Sequence, residues 1–184
     1  MTVREQALTT TEFEAFLIQA EAQNQRFELI NGEIIAKPMP TREHGIIANH
    51  IGGEFYIYFR VNPIGHAAVE ARHRPTGDTH NDRLPDVSVV IGDRPIETRG
   101  VADYLPDICI EIQSPDDTLK QMRATARFYI EHGAKFALVV LPTKRSIEVY
   151  AAEDDDQLLT GDDLVTFGDL LPGFAVAVGR LFPV

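Results

Sequence analysis

The acidic side chains best suited to chemistry lie at two strand-like apolar runs. Asp86 directly precedes the run Val87–Ile91, and Glu111 interrupts the run Ile108–Ile112. Burying a carboxylate in an apolar run is costly unless it is paired or binds a cation. Asp107 would share a strand face with Glu111 but lie roughly 13 Å away, too far for both to hold one ion. The better partner for Glu111 is therefore Asp86, arriving from a neighbouring strand.

Two such carboxylates, completed by a backbone carbonyl and water, form a hard oxygen site that suits Mg²⁺ or Mn²⁺. Gln113 lies two residues beyond Glu111, so both side chains would share one face of the strand, roughly 7 Å apart. A polar residue that merely ends a strand would show the same pattern. The spacing therefore leaves both interpretations of Gln113 open.

These motifs resemble the PD-(D/E)XK nuclease core, because Pro85-Asp86 is followed 25 residues later by Glu111-Ile112-Gln113, with glutamine where lysine usually stands. The chain as a whole resembles the Uma-type family of bacterial restriction-endonuclease-like proteins. The resemblance extends from Thr10 to Phe182. The matching stretches are residues 27–34 (FELINGEI), His44, residues 85–87 (PDV), residues 110–115 (IEIQSP), Tyr129 with Gly133, and residues 171–174 (LPGF).

The resemblance implies a restriction-endonuclease-like fold and a divalent-metal phosphodiesterase that cuts DNA. It implies that Asp86 and Glu111 ligate Mg²⁺ or Mn²⁺ and that Gln113 takes the place of the lysine. It also implies that His44 and Glu28 lie near the site. The metal would polarise the scissile phosphate and lower the pKa of the attacking water.

The position of the lysine is the main departure from the family. Many members carry a lysine on the helix after the Ser-Pro pair, four residues before the tyrosine, where this chain has Thr125. The nearest lysine, Lys120, would point about 140° away from Thr125 around a helix. Lys120 could serve only if its long side chain bends back. The alternative hypothesis is a catalytically silent relative that binds nucleic acid or a protein partner.

The elements that would carry His44 and Glu28 follow from local signals. Asn31-Gly32 between two apolar runs predicts a β-hairpin, since both central residues of a type I′ turn need positive φ. Thr41 predicts the N-cap of a helix that runs to about Arg60 and carries His44. A histidine on an apolar helix can equally be a core residue. Glu28, beside the turn, can equally be a solvated acid.

A strand–helix–strand unit is predicted from Ile108 to Leu141. Ser114-Pro115-Asp116-Asp117 combines a capping serine, a proline and two acids, which is typical of a helix start. Gly133 fits the helix end. The two strands of such a unit should be parallel, with a right-handed crossover. The predicted fold class is α/β (α+β), with a restriction-endonuclease-like mixed central β-sheet flanked by helices and additional N-terminal and C-terminal β-hairpins.

Composition bounds the remaining expectations. A chain of 184 residues predicts one domain over residues 1–184, with residues 1–9 flexible. The net charge of -11 argues against a protein that coats nucleic acid through bulk electrostatics and is compatible with an enzyme that binds DNA only locally. The single cysteine, Cys109, excludes an internal disulfide and suits a reducing cytoplasm. The absence of a signal-peptide run and of a membrane-length apolar stretch predicts no export and no membrane insertion. A homodimer is expected, since nucleases of this type often act on two strands through two-fold symmetry.

Overall fold

A mixed α/β arrangement is seen in the computed structural model, which describes residues 7–20 and 25–184. In chain order, its helices and longer strands are α1 (Thr10–Ala20), β1 (Arg26–Ile30), β2 (Glu33–Lys37), α2 (Arg42–Val61), β3 (Gly65–Val69), β4 (Val87–Ile91), β5 (Ile108–Ile112), α3 (Leu119–Glu131), β6 (Phe136–Leu141), β7 (Ser146–Ala151) and β8 (Gln157–Thr160). Two short strands follow, β9 (Leu164–Val165) and β10 (Val176–Ala177). The predicted fold class is confirmed.

Strands β3 to β8 form one six-stranded sheet in which spatial order follows chain order. The central neighbours β5 and β6 are parallel, joined by α3, and the other neighbouring pairs are antiparallel. The predicted strand–helix–strand unit is therefore present, with β7 as the hairpin partner of β6. The sheet is mixed because one helical crossover lies within a series of connections between antiparallel neighbours.

The two faces of the sheet bury different sets of side chains because alternate strand residues point in opposite directions. On β5, Ile108, Ile110 and Ile112 pack with the α2 residues Ile47 and Phe55 in one core cluster. On the other face, buried residues of β5 and β6 pack against α3; this second cluster includes Cys109, Met122, Ala126, Tyr129, Ala137 and Val139. Glu111 follows the alternation of Cys109 and therefore lies on the α3 side.

The β1–β2 hairpin forms as predicted and is attached to the rest of the molecule through backbone bonds. Asn31 and Gly32 have φ of 52° and 81°, as a type I′ turn requires. Leu29 exchanges two hydrogen bonds of 2.9 Å with Asp82, and the Gly32 amide donates to the His80 carbonyl. These contacts fix the hairpin beside the segment that leads into β4.

The start of α3 differs from the prediction. The helix begins at Leu119, capped by Thr118 in a full capping box with Gln121. The four residues predicted to open it form a separate turn instead, in which the Ser114 amide donates to the Asp117 carboxylate at 2.8 Å. The physical reason is that a Thr-x-x-Gln box satisfies two free amides at once, whereas the Ser-Pro-Asp-Asp signal suits a turn equally well.

The chain ends bear on two further predictions. At the C-terminal end, β9 and β10 pair antiparallel, and the rings of Phe167 and Phe174 pack against Phe55 of α2. Residues 1–6, most of the segment predicted to be flexible, lie outside the described residues. Within 7–9, the Leu8 amide donates to the Gly32 carbonyl. Across the described ranges, no helix combines the length and apolar character that crossing a membrane requires.

Candidate active site

Two carboxylates, Asp86 and Glu111, face each other across the β4–β5 pair. The antiparallel register joins Val87 with Ile110, so extending it by one residue sets Asp86 opposite Glu111. Both residues are buried, at 3% and 7% exposure. Asp86 Oδ2 also accepts a hydrogen bond of 2.7 Å from the amide of Ile112. The structure therefore brings together the two acids that the sequence paired.

His44 holds Asp86 from the first turn of α2. Thr41 caps this helix by accepting a hydrogen bond of 3.1 Å from the His44 amide. His44 Nε2 lies 3.0 Å from Asp86 Oδ2, and since an ionised carboxylate only accepts, Nε2 carries the hydrogen. Burial would raise the pKa of Asp86, but the hydrogen bond from His44 and the charge of Lys37 hold it below the usual value. Asp86 is therefore ionised at neutral pH.

Glu111 has a different protonation behaviour from its neighbour. Its Oε1 accepts a hydrogen bond of 2.6 Å from the hydroxyl of Tyr129, a fully buried residue of α3. Burial raises the pKa of Glu111 to about 7, and attraction to Lys37 opposes the rise only in part. Two adjacent acids thus titrate in separate ranges, an arrangement that is enriched at functional sites.

A lysine that sequence reasoning did not select, Lys37, lies between the two carboxylates. It is the last residue of β2, and its Nζ is 3.0 Å from Asp86 Oδ1 and 3.4 Å from Glu111 Oε2. The same atom donates to the carbonyl of Leu84 at 2.5 Å. Burial would lower the pKa of Lys37, but attraction to the carboxylates of Glu111 and Asp86 outweighs burial and raises it. A charged ammonium therefore occupies a cation position at the centre of the site.

Strand alternation in the hairpin predicts which face Lys37 lies on. The hairpin register pairs Arg26 with Lys37 and Glu28 with Ile35. Directly opposed residues and residues two apart lie on the same face of a hairpin. Lys37 is therefore on the same face as Glu28, which the family resemblance expects near the site. The sequence does not show where this face docks, because docking depends on contacts with residues far away in the chain.

Glu28 and Arg83 form a second buried pair beside the first. Glu28 Oε1 accepts a hydrogen bond of 2.8 Å from the amide of Leu84 and lies 3.7 Å from Arg83 Nε. The Arg83 guanidinium lies over the Phe128 ring at 4.7 Å and donates to the Thr125 hydroxyl at 3.2 Å. Burial would lower the pKa of Arg83, but attraction to Glu28 contributes to raising it. A fixed positive charge thus lies beside Thr125, the position at which many relatives carry a lysine.

Gln113 and Lys120 are not brought to this group of side chains. The Gln113 side-chain amide donates to the carbonyl of Asp117 at 3.0 Å, which closes the turn before α3. Lys120 is exposed in the first turn of α3. Neither residue lines the cleft above the carboxylates. The predicted site roles of these two residues therefore gain no support from their positions, and Lys37 is the lysine that lies at the carboxylates.

A cleft of about 580 Å³ opens onto the carboxylates. The β1–β2 hairpin lines one side of it, and α3 with its preceding turn lines another. Its charged and hydrogen-bonding lining comprises Arg26, Glu28, Asn31, Glu33, Lys37, His44, Arg83, Asp86, Glu111, Ser114, Asp117, Gln121 and Thr125. The cleft can therefore admit a polar ligand to the carboxylates and their lysine.

Comparisons with known proteins place this fold among nuclease-like α/β proteins. A crystal structure from Anabaena variabilis, described as "a putative nuclease belonging to DUF820", is similar with 28% sequence identity and a TM-score of 0.73. The likeness covers 85% of this chain and 89% of that chain. The model of the Uma2 family, described as "Putative restriction endonuclease", matches residues 11–179, and the chain belongs to this family. No curated protein matches the chain. The family expected from the sequence motifs is confirmed.

Proposed function

We propose that this protein is a divalent-metal-dependent endonuclease that hydrolyses phosphodiester bonds of DNA in the cleft. The observation that carries the proposal is the convergence of Asp86 and Glu111. Each carboxylate has one oxygen held by the protein, through His44 and Tyr129 respectively. Each directs its other oxygen to the same cation position. Membership of a restriction-endonuclease-like family supports this function.

The donor set fits Mg²⁺ or Mn²⁺. The ammonium of Lys37 is a stand-in cation, since it already contacts Asp86 Oδ1 and Glu111 Oε2. In the described part of the chain, no group of three or more His, Cys, Asp or Glu side chains is arranged to hold a metal ion. Two carboxylates suffice for Mg²⁺, which usually keeps several waters and takes further ligands from substrate phosphate. When bound, the ion would polarise the phosphate and lower the pKa of the attacking water.

The protein's own residues orient and shield the reacting group. The His44 side chain and the Ile112 amide fix one oxygen of Asp86, so its other oxygen keeps a constant direction. The Tyr129 hydroxyl does the same for Glu111. Hydrogen bonds of this kind position a ligating carboxylate and hold its basicity. Both carboxylates are buried, which strengthens electrostatic interactions with them.

Plasmid cleavage tests the proposal. Purified protein is incubated with supercoiled plasmid in Mn²⁺ or Mg²⁺, with EDTA, and as the Asp86→Asn variant, which keeps the side-chain shape. We expect cleavage by the wild type with metal, and loss of about 100-fold or more with EDTA or in the variant. Asp107→Asn is the matched control, since Asp107 also follows a proline and precedes a strand but lies away from the cleft. Equal cleavage by wild type and Asp86→Asn would overturn the proposal.

A catalytically silent, nucleic-acid-binding protein is the second candidate. The observation that favours it is that Lys37 already contacts both carboxylates as their cation without any metal. The discriminating result is binding of a labelled DNA duplex by the wild type, with no cleavage of double-stranded or single-stranded DNA at any Mn²⁺ or Mg²⁺ concentration.

Assembly and location complete the proposal. We infer a homodimer that presents one cleft to each strand of the DNA. Light scattering after size-exclusion chromatography tests this inference, and a monomer at micromolar concentration contradicts it. We infer contact with DNA only at the cleft, in view of the net charge of -11. A reducing cytoplasm suits the one cysteine, Cys109, which is fully buried.

A further inference from the structure

We propose that Lys37, supplied by the β1–β2 hairpin, is the catalytic lysine of this site and contacts the scissile phosphate. The proposal rests on the nuclease function proposed above and names the residue that provides the positive charge. It also assigns the hairpin a catalytic role. Lys37 then comes from β2, Glu111 from β5, and Asp86 from the residue directly before β4.

The contacts of Lys37 all belong to the metal-binding pair and its neighbour. An ammonium has three donors, and Nζ uses them on Leu84 O, Asp86 Oδ1 and Glu111 Oε2. The side chain is 17% exposed and lines the cleft. It is therefore buried enough to be fixed and open enough to meet a ligand in the cleft.

A purely structural ion pair explains these contacts less well. The Asp86 carboxylate accepts hydrogen bonds from three protein groups, on His44, Ile112 and Lys37. His44 and Ile112 hold Oδ2 of Asp86 independently of Lys37, which contacts Oδ1. If a metal ion binds Asp86 Oδ1 and Glu111 Oε2, Lys37 Nζ loses these two acceptors and keeps only the carbonyl of Leu84. A phosphate oxygen in the cleft is then the acceptor of suitable charge.

The chemical step requires a cation at this place. A water molecule forms a bond to phosphorus while the bond from phosphorus to one ester oxygen breaks. The attacking water loses a proton to solvent, and the leaving alkoxide gains one, so that charge and atoms balance. Negative charge builds up on the phosphoryl and leaving oxygens during this step. An ammonium within hydrogen-bond distance stabilises that charge without itself changing protonation state.

Cleavage by Lys37 variants is the first test. Lys37→Met keeps the length of the side chain without its charge, and Lys37→Arg keeps the charge with a different shape. We expect nicking of plasmid to fall about 100-fold or more in Lys37→Met and less in Lys37→Arg. Lys120→Met is the matched control because Lys120 is exposed on α3, and its nicking should equal that of the wild type. Wild-type activity in a folded Lys37→Met protein overturns the proposal.

Metal binding without DNA is the second test, and it does not depend on activity. Mn²⁺ titrations followed by electron paramagnetic resonance compare the same proteins. Lys37→Met should bind Mn²⁺ at least about tenfold more tightly than wild type, because a positive charge between the two carboxylates is removed. Unchanged Mn²⁺ affinity overturns the placement of Lys37 at the metal pair. A wild type that never cuts DNA, together with tighter Mn²⁺ binding in Lys37→Met, overturns the proposed nuclease function while retaining that placement.

Discussion

The chemistry of single residues in this site is governed by how their charges are paired. Asp86 receives donors on both oxygens, and the pKa of its carboxyl is held below the usual range. Glu111 is buried beside it, and burial raises its pKa to about 7. A cation that binds both acids needs both to be ionised. Metal affinity should therefore rise as pH increases through neutrality.

Removing the Tyr129 hydroxyl should shift this pH dependence. The hydrogen bond from Tyr129 stabilises the ionised form of Glu111 and lowers its pKa, so Tyr129→Phe raises that pKa further. The ionised fraction of Glu111 at pH 7 then falls. We expect Mn²⁺ binding to weaken about threefold at pH 7 and to recover by pH 8.5. Mn²⁺ titrations across this pH range measure the shift.

Tyr150→Phe is the control for Tyr129→Phe. Tyr150 donates a hydrogen bond of 2.8 Å to Glu148, a similar tyrosine–glutamate pair on β7. Its loss should leave Mn²⁺ affinity unchanged at every pH. Equal effects of the two variants would mean that the hydroxyl acts on general stability and not on Glu111.

Sequence information was sufficient for some residues of the site and insufficient for others. Asp86 and Glu111 are predictable because an acid in or beside an apolar strand needs a partner, and this requirement is local. Lys37 is not predictable in the same way. Strand alternation shows which face of the hairpin it lies on, but not which part of the molecule that face packs against. Gln113 was placed on the right strand, yet its side chain turns to the Asp117 carbonyl. Side-chain direction at a strand end depends on the following turn, which strand periodicity does not describe.

The start of α3 shows how an element can be predicted with the wrong boundary. Both Ser114 and Thr118 precede helix-compatible residues, and a cap signal alone does not choose between them. The helix begins after Thr118 because the side-chain oxygen of Gln121 accepts a hydrogen bond from the Thr118 amide, which completes the capping box. The shift matters for the site, since the turn between Ser114 and Asp117 forms part of the cleft wall.

Alanine substitution at the two positions tests this boundary. Thr118→Ala removes the side-chain acceptor of the Gln121 amide and should lower the free energy of unfolding by about 1 kcal/mol. Ser114→Ala should cost much less, because the turn contact with Asp117 is made by the backbone amide of Ser114 and not by its side chain. Urea denaturation followed by circular dichroism compares the two. A larger loss in Ser114→Ala would place the helix start in the earlier turn.

At the scale of the whole molecule, local signals predicted the elements and the parallel β5–α3–β6 unit. The association of distant segments could not be predicted in the same way. The hairpin docks through bonds between Leu29 and Asp82, residues more than fifty positions apart, and no periodicity records such a contact. The family resemblance supplied the fold that the local signals left open.

The charge distribution predicts weakly salt-dependent binding of DNA. The net charge is -11, and in the described part of the chain the arginines and lysines that line the cleft are Arg26, Lys37 and Arg83. Each phosphate neutralised contributes about -0.9 to the slope of log K against log salt. We therefore expect a slope no steeper than about -3 for a duplex in Ca²⁺, measured by fluorescence anisotropy. Lys37→Met should reduce it by about 1, and a slope near -8 would show contacts far outside the cleft.

Acid stability of the whole molecule should depend on His73, which is remote from the cleft lining. Its ring is buried between the Tyr104 carbonyl and the Ser88 hydroxyl, and burial lowers the pKa of His73 from 6.5 to about 4. In the unfolded chain His73 takes up a proton near pH 6.5, whereas in the folded protein it stays neutral until about pH 4. Stability is therefore complete above pH 6.5 and falls as pH decreases towards 4.

His73→Asn removes this proton uptake, so the free energy of unfolding should fall less steeply as the pH decreases. Each pH unit between the two pKa values is worth about 1.4 kcal/mol, so wild type loses up to about 3 kcal/mol by pH 4 that the variant does not lose. Urea denaturation at pH 7, 5.5 and 4.5 gives the free energies of unfolding. His132→Asn, which changes an exposed histidine, should keep the wild-type slope. If His73→Asn loses stability with falling pH as steeply as His132→Asn, the acid sensitivity arises from other groups and the buried neutral state of His73 does not set it.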